Sequence, residues 1–327
     1  MRTQDLPSVG WVGTGRMGSA LCRRLLAAGY DLAVFNRTRA KAEALGALGA
    51  QVVDRPADLA GRPVVFTSVM GPEDLLEVTA GPGGVLTGPA VPRVLIDLST
   101  VSLEVSAQVR TRAGAMGTAF LAAPVSGNPK VAEAGRLSMV VSGPRQAFDE
   151  VRPLLERLVG SVTYAGEREV ARLIKICHQL FLAVVTQSLA EVTVLAQRGG
   201  VPRSTFLEFL NRSVVGSTFT RYKTPAFVNL DLTPTATVEV LLKDLEIGLE
   251  TGRELGVPLP TAAVVRELTK ALLATGFAGR DFGALLELQA RCSGLGLEPE
   301  GVEVSDGLEP DELARAAGLG GSPGRRA

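Results

Sequence analysis

The chain has a single histidine, His178, and only three cysteines, Cys22, Cys177 and Cys292, in 327 residues. Zinc centres built from clustered Cys and His are therefore excluded, and no metal is expected. Cysteines so few, far apart and odd in number, with no CxxC pair, offer no disulfide framework either. Neither sign of charge is in excess, since Lys plus Arg and Asp plus Glu are 34 each. A general nucleic-acid binder needs a basic surplus to displace counterions from phosphate, so nucleic acid is not an expected partner. The opening eight residues contain no apolar signal core, and no unbroken apolar run approaches the ~18 residues that span a bilayer. A cytoplasmic protein with no membrane partner is the expectation. What the chain does have is 46% hydrophobic residues, enough at this length for two packed domains.

Short β-rich runs occur at Ser8–Val12, Leu32–Phe35, Val64–Ser68, Val94–Asp97, Ala119–Ala122, Ser138–Val141 and Ser161–Tyr164. Helical stretches at Arg16–Ala28, Arg39–Leu48, Leu103–Ala115 and Arg145–Val159 fall between them, which predicts an α/β sheet that is mostly parallel. Near Gly166 the character changes. From Glu169 to Gln197 there is neither proline nor glycine, and Val170, Leu173, Ile174, Cys177, Phe181, Val184 and Val185 mark one face of a long helix. Gly199, Gly200 and Pro202 stop it, and only helical patterns follow, at Ser204–Leu210, Ala236–Leu255 and Ala262–Ala274. We therefore expect an α/β domain over 1–165 and an all-α domain over 166–292 that includes the connecting helix. The remainder, 293–327, is rich in glycine, proline and acidic residues and reads as a flexible tail. The long helix carries more apolar residues than one face needs, which predicts a homodimer or higher homo-oligomer.

The stretch from Val9 to Gly18 is a strand running into a GxGxxG turn, Gly13-Thr14-Gly15-Arg16-Met17-Gly18, that opens a helix. Gly13 permits the tight turn, Gly15 lets backbone approach a pyrophosphate, and Gly18 lets helix and strand pack closely. The helix N-terminus offers N–H groups and a favourable dipole to phosphate. Such a motif alone also describes a glycine-rich turn that binds nothing, but its place between strand and helix favours a dinucleotide. An acidic residue about 20 positions further on would bind the ribose 2′-OH of NAD. Here that place holds Asn36, followed by Arg37 and Thr38. An amide does not repel a 2′-phosphate, and a guanidinium and a hydroxyl can bind one, so NADP(H) is the expected cofactor.

A dinucleotide-dependent redox step needs a placed acid for the oxygen that gains a proton. Lys175 is the candidate, on the long helix at the domain junction where a cleft is expected, with His178 and Gln179 three and four residues later on its face. On geometry alone, a helical lysine is more often simply solvated.

Taken together, these residues resemble the β-hydroxyacid dehydrogenase family over about Ser8 to Gln289. The segment Gly10 to Gly18 is similar to its cofactor signature. Ala123-Pro124-Val125-Ser126-Gly127, continued by Ala132, Gly135 and Leu137, is similar to its substrate segment. Lys175 stands in the slot of its catalytic lysine, and Leu242-Lys243-Asp244-Leu245 is similar to its KDL segment, whose lysine reaches the cofactor. The resemblance implies a Rossmann-type N-terminal domain and an all-α C-terminal domain joined by a long interdomain helix, with the active site between them. It implies further that Ser126 and Gly127 hold a substrate carboxylate, and that Thr100 and the Val69-Met70 loop line the nicotinamide side.

Departures from the pattern carry information too. Asn128 replaces the second glycine of the substrate segment and Val131 another glycine, while His178 and Gln179 stand where the family usually has asparagine. A histidine three residues after the lysine resembles 6-phosphogluconate dehydrogenase, so a more polar pocket is expected, with Asn128, His178 and Gln179 contacting substrate. Imine reductases share the architecture but usually lack the lysine. The expected activity is hydride transfer between NADP(H) and a small β-hydroxy acid or semialdehyde. A reductase of a larger metabolite, including an imine, and a non-catalytic NADP-binding protein are the alternatives.

Overall fold

Val9–Val12 (β1), Val64–Thr67 (β4) and Val94–Asp97 (β5) are buried along their whole length. Strands that read as continuous apolar runs, without alternation, belong inside a parallel sheet covered on both faces. The structure, a computed structural model, describes residues 7–319 and places them there. Contacts divide the chain into two compact units, one running to Lys175 and resuming at Glu309, the other spanning Ile176–Leu308.

The first unit alternates β1, Arg16–Ala27 (α1), Leu32–Phe35 (β2), Arg39–Gly46 (α2), Gln51–Val52 (β3), β4, Pro72–Ala80 (α3), β5, Leu103–Ala115 (α4) and Ala119–Ala122 (β6). Then follow Val125–Ser126 (β7), Pro129–Glu133 (α5), Ser138–Ser142 (β8), Arg145–Leu158 (α6) and Ser161–Gly166 (β9). The nine-stranded sheet has the order β3-β2-β1-β4-β5-β6-β8-β7, with β9 paired to β8. Strands β1 to β6 pair in parallel, β8 runs antiparallel to β6 and β7, and β9 runs parallel to β8. The order reverses between β1 and β4, the switch point where α/β sheets bind nucleotides outside the carboxyl ends of their strands. All seven strands read from the sequence form within two residues of their limits. The two-residue strands β3 and β7 were too short for a pattern to announce.

The second unit is helical. Val170–Arg198 (α7) enters it, followed by Arg203–Arg212 (α8), Thr218–Asn229 (α9), Val238–Glu254 (α10), Pro260–Ala274 (α11) and Leu285–Cys292 (α12). Its core gathers Ala183, Ala190, Val194, Leu207, Phe227, Leu245 and Leu285. Helix α9 escapes sequence reading because Pro225 stands inside it, a residue that ordinarily ends a helix.

Three expectations need correction. The units divide within α7 at Lys175 rather than near residue 165, because Ala171 and Arg172 pack with the first unit's sheet. The stripe read on α7 is not one uniform face: Val170, Ile174, Cys177 and Phe181 are exposed while Leu173, Val184 and Val185 are half-buried, and the helix buries Ala171, Ile176, Ala183, Leu189 and Ala190. The segment after Cys292 is tied down over its described part. Glu300 accepts the backbone N–H groups of Arg203 and Ser204. Asp311 pairs at 2.8 Å with Arg24, and Glu312–Ala316 (α13) packs on the first unit. Composition suggested disorder because its acidic residues have no partners nearby in sequence; they find arginines in space. Residues 320–327 lie outside the described part. By length and composition α7 is also apolar enough to cross a membrane, the one such helix among the described residues. Buried Arg172, Lys175, Thr186, Gln187 and Thr193 interrupt it, as in a core helix.

Lys223 and Asp281 form a buried ion pair beneath the ring of Phe282. Burial alone would push the Asp281 carboxyl up, but Lys223, the Thr235 hydroxyl and the Gly283 N–H together hold it below its ordinary value. A depressed carboxylate stabilises the fold above its unfolded pKa of about 4, and that stabilisation is lost as pH falls through the folded value. Asp281→Asn should therefore destabilise the protein by about 3–5 kcal/mol near neutral pH, because it removes the carboxylate of a buried ion pair. The gap to wild type should narrow in urea titrations as pH falls below the unfolded carboxyl pKa of about 4. A gap that stays constant with pH would contradict this assignment.

Candidate active site

Helix α1 starts at the carboxyl end of β1 through a turn that only glycine can make. Gly13 has φ 94°, and a Cβ there would lie 2.2 Å from the Ser68 carbonyl oxygen. At Gly18 a Cβ would lie 2.0 Å from the Gly13 carbonyl oxygen and 2.9 Å from Nε1 of Trp11. Gly15 is different. Its φ is −65°, and a Cβ there meets nothing within 4 Å. No side chain caps α1 at this residue, so the helix presents its first N–H groups and its dipole to open space. Thr14 is buried, with an Oγ1 that has no hydrogen-bond partner. Arg16 is exposed and Met17 half-buried at the same turn. Bare backbone, free space and an unanswered hydroxyl at a helix N-terminus are what a pyrophosphate fits.

Asn36 has a role the sequence did not disclose. Its Oδ1 accepts the Thr14 N–H at 2.9 Å and its Nδ2 donates to the Thr38 carbonyl at 3.0 Å, bracing the glycine turn against the end of β2. Arg37 is exposed and pairs at 2.9 Å with Asp74, in the first turn of α3. Thr38 sits at the start of α2 without capping it.

The loops after β4 and β5 are joined by a buried network. The Thr67 and Ser99 hydroxyls each donate to Oδ1 of Asp97 at 2.7 Å, and the Ser99 Oγ accepts the Val69 N–H at 3.0 Å. Arg172 of α7 pairs with Asp97 and donates to the Ser99 carbonyl. Met70, next to Val69, is 64% exposed, and Thr100, next to Ser99, is half-buried. Sequence reading passed over Asp97, Ser99 and Arg172. Asp97 could have been noticed as a carboxylate closing an otherwise apolar strand.

Ser126 ends β7, opposite Ser138 of β8. Gly127 has φ 125°, and a Cβ there would lie 2.6 Å from Leu137 and 2.8 Å from Val131. Val131 thus makes the glycine obligatory for packing as well as for conformation. Asn128 caps α5 through its Oδ1, which accepts the Val131 N–H at 3.0 Å, and its buried Nδ2 has no partner. The amide read as a substrate contact therefore has a structural duty as a helix cap.

Lys175 is 9% exposed on α7, within the first unit. In the second unit, Nδ1 of His178 lies 3.0 Å from Oε1 of Gln179, and Nε2 of Gln179 donates to Asp244. The carboxylate fixes which way the Gln179 amide points, so the contact with Oε1 is donated by Nδ1 of His178. Lys243 completes the chain, 3.0 Å from Asp244. Sequence reading placed His178 with Gln179 and Lys243 with Asp244 in two separate motifs; the link between them through buried Asp244 is new. Among the described residues no cluster of His, Cys, Asp and Glu could hold a metal.

Fold and turn define a dinucleotide-binding α/β oxidoreductase, and the comparisons make it more particular. A family model for the NAD binding domain of 6-phosphogluconate dehydrogenase matches residues 8–166, and one for the NAD-binding region of NADP-dependent 3-hydroxyisobutyrate dehydrogenase matches residues 170–289. A probable 3-hydroxyisobutyrate dehydrogenase-like protein of Arabidopsis thaliana is 32% identical, covering 84% of this chain and 82% of its own. A glyoxylate/succinic semialdehyde reductase of the same plant is 28% identical over 86% of this chain and 78% of its own. The structure of Psf3 in complex with NADP+ and 2-OPP superposes with a TM-score of 0.79 at 26% identity, covering 86% of this chain and 99% of that one. The chain belongs to the β-hydroxyacid dehydrogenase family and is an NAD(P)-dependent oxidoreductase of the hydroxyacid dehydrogenase kind.

The contrast among the glycines gives a direct test. Gly15→Ala should leave the thermal midpoint near wild type, because nothing in the protein meets the new methyl. It should weaken cofactor binding, measured by calorimetry, by about tenfold (~1.4 kcal/mol) if the methyl stands where the pyrophosphate approaches. Unchanged affinity would show that the open space over Gly15 is not the phosphate site.

Proposed function

We propose that this enzyme is an NADP(H)-dependent reductase of small aldehyde acids, acting reversibly as the dehydrogenase of the matching β-hydroxy acids. The observation that carries the reading is Lys175, a lysine withdrawn from solvent to 9% exposure in the slot of the family's catalytic lysine. Lysines are almost never fully buried unless paired, and the resemblance gives this one the proton transfer. When bound, the nicotinamide supplies or accepts the hydride at the substrate carbon. Lys175 as an ammonium gives a proton to the carbonyl oxygen as negative charge develops there, and as a neutral amine it takes that proton back in oxidation. Ser126 and Gly127 hold the carboxylate, and His178 and Gln179, stiffened by Asp244, orient the substrate's polar groups. Glyoxylate and succinic semialdehyde, named for one of the relatives, are the first substrates to try. Reduction is the favoured direction because NADPH pools usually drive it.

Lys175→Ala should lower kcat with NADPH and either aldehyde acid by about 10²–10⁴-fold. Turnover near wild type would end the general-acid assignment, and activity on cyclic imines alone would favour the rival imine chemistry. A non-catalytic NADP-binding protein would turn over no carbonyl at all and would tolerate the substitution.

Preference for NADP(H) rests on Asn36, Arg37 and Thr38 at the end of β2, where no carboxylate stands. Arg37→Ala should weaken NADPH about tenfold and leave NADH unchanged. Asp74 holds Arg37 in an exposed pair, so Asp74→Asn should tighten NADPH by about threefold, the scale of a surface ion pair. Equal affinities for the two cofactors in wild type and Arg37→Ala would remove the preference.

The outward face of α7 exposes Phe181 at 70% and Leu195 at 72%. Large apolar side chains aligned on one helix face suit burial against another protein surface, and a second copy is the proposed occupant. Light scattering should give a dimer or larger, and Phe181→Glu combined with Leu195→Glu should shift it towards monomer. A monomeric wild type would overturn this.

A further inference from the structure

Arg172 is 1% exposed and Asp97 is fully buried, and their ion pair lies one turn before Lys175 on α7. All of its partners lie in the first unit. The Arg172 Nε donates to the Ser106 Oγ at 3.2 Å, Nη1 to the Ser99 carbonyl, and Nη2 to the Asp97 carbonyl at 3.3 Å as well as to its carboxylate. The other carboxylate oxygen accepts from the Thr67 hydroxyl, the Ser99 hydroxyl and the Ser99 N–H. The Ser99 hydroxyl does double duty, donating to Asp97 while accepting the Val69 N–H at 3.0 Å. A buried ion pair is a poor way to gain stability, since apolar residues of the same volume commonly serve as well. It does fix directions, because each hydrogen bond tolerates little displacement. What this one fixes is the start of two loops, at Val69-Met70 and at Thr100, against the turn that carries Lys175.

We propose that Arg172 is a positioning residue for the nicotinamide end of the cofactor site, acting through Asp97 and Ser99 on the Val69-Met70 and Thr100 loops. The inference rests on the reading that those loops face the nicotinamide while Asn36, Arg37 and Thr38 face the adenosine. That division supplies the test. Calorimetry compares NADPH with 2′,5′-ADP, which has the adenosine end of NADPH and no nicotinamide. Arg172→Gln should weaken NADPH about tenfold or more and leave 2′,5′-ADP within about twofold, the scale of losing charged hydrogen bonds at one end only. Ser99→Ala, which keeps the ion pair and the Ser99 carbonyl but removes the hydroxyl's bonds to Val69 and to Asp97, should act in the same direction by a smaller factor. Arg172→Lys should recover part of the loss.

Equal weakening of both ligands would reduce Arg172 to a general support of the domain and overturn the proposal. No weakening of either would also overturn it. Should Arg172→Gln fail to fold, Ser99→Ala and Arg172→Lys carry the same comparison. The cofactor preference fails separately. If wild type holds NADH more tightly than NADPH, that reading falls, and the positioning role is read on NADH against ADP-ribose.

Discussion

The first unit depends on how closely helix α1 is drawn against strand β1. The Gly13 turn packs against the Ser68 carbonyl after β4, and Gly18 packs against the turn itself and Trp11. Trp11 completes the contact by donating from its indole to the Gly13 carbonyl at 3.0 Å and stacking on Phe66 of β4, with centroids 4.8 Å apart. Neither glycine can carry a side chain without parting strand from helix. The parallel register, which pairs Val12 with both Phe35 and Thr67 and Thr67 with Asp97, then sets the ends of β2, β1, β4 and β5 at one edge. The glycine turn, Asn36, Ser68 and Ser99 are neighbours there because the strands are parallel and in step. A site formed of loop residues needs that rigid edge, since loops on their own hold no geometry.

Helix α7 is asked to do more than its amphipathic pattern announces. Its inward side is lined by small and polar residues, Ala171, Arg172, Lys175, Ala183, Thr186, Ala190 and Thr193. Small residues let the helix sit close to its neighbours, and Arg172 and Thr186 among the polar ones have partners. Arg172 is held by Asp97, Ser99 and Ser106, and Thr186 bonds back to the Leu182 carbonyl. Ile176, Leu189 and Val194 are buried with them, while Val170, Ile174, Phe181 and Leu195 lie on the outward side. Periodicity correctly identifies a helix with a stripe, but it has no means of telling which side of a two-sided helix meets the chain's own core.

Much of the fold was legible because burial on both faces writes long apolar strands and glycine writes the turns. The strands β1, β2, β4, β5, β6, β8 and β9 could be read for that reason. What stayed hidden depends on partners distant in sequence. Asp97 and Arg172 are 75 residues apart, and Arg24 and Asp311 are 287 apart; neither member of either pair stands in a local motif. The candidate site divides in the same way. Gly13, Gly18 and Gly127 stand in local motifs that call for glycine and could be read in place, although Gly13 also meets the distant Ser68 carbonyl. The duties of Asn36 as a brace, Asn128 as a cap and Asp244 as the link between Gln179 and Lys243 were visible only in space.

Arg37 shows why a missing carboxylate at the end of β2 is only half of a cofactor argument. The usual reasoning asks whether an acidic side chain stands there to accept the ribose hydroxyls, and here none does. A carboxylate nevertheless comes within 2.9 Å of the guanidinium, supplied by Asp74 from the first turn of α3. Asp74 stands on α3 rather than at the end of β2, and it pairs with the cation. A 2′-phosphate would compete with Asp74 for Arg37, and it carries more charge and three acceptor oxygens against two, so the exchange favours the phosphate. Arg37 is 78% exposed and its pair with Asp74 is screened by water, so the interaction given up is small. In the free protein the acid keeps the guanidinium near the end of β2, and the net gain on binding phosphate is reduced by what Asp74 loses.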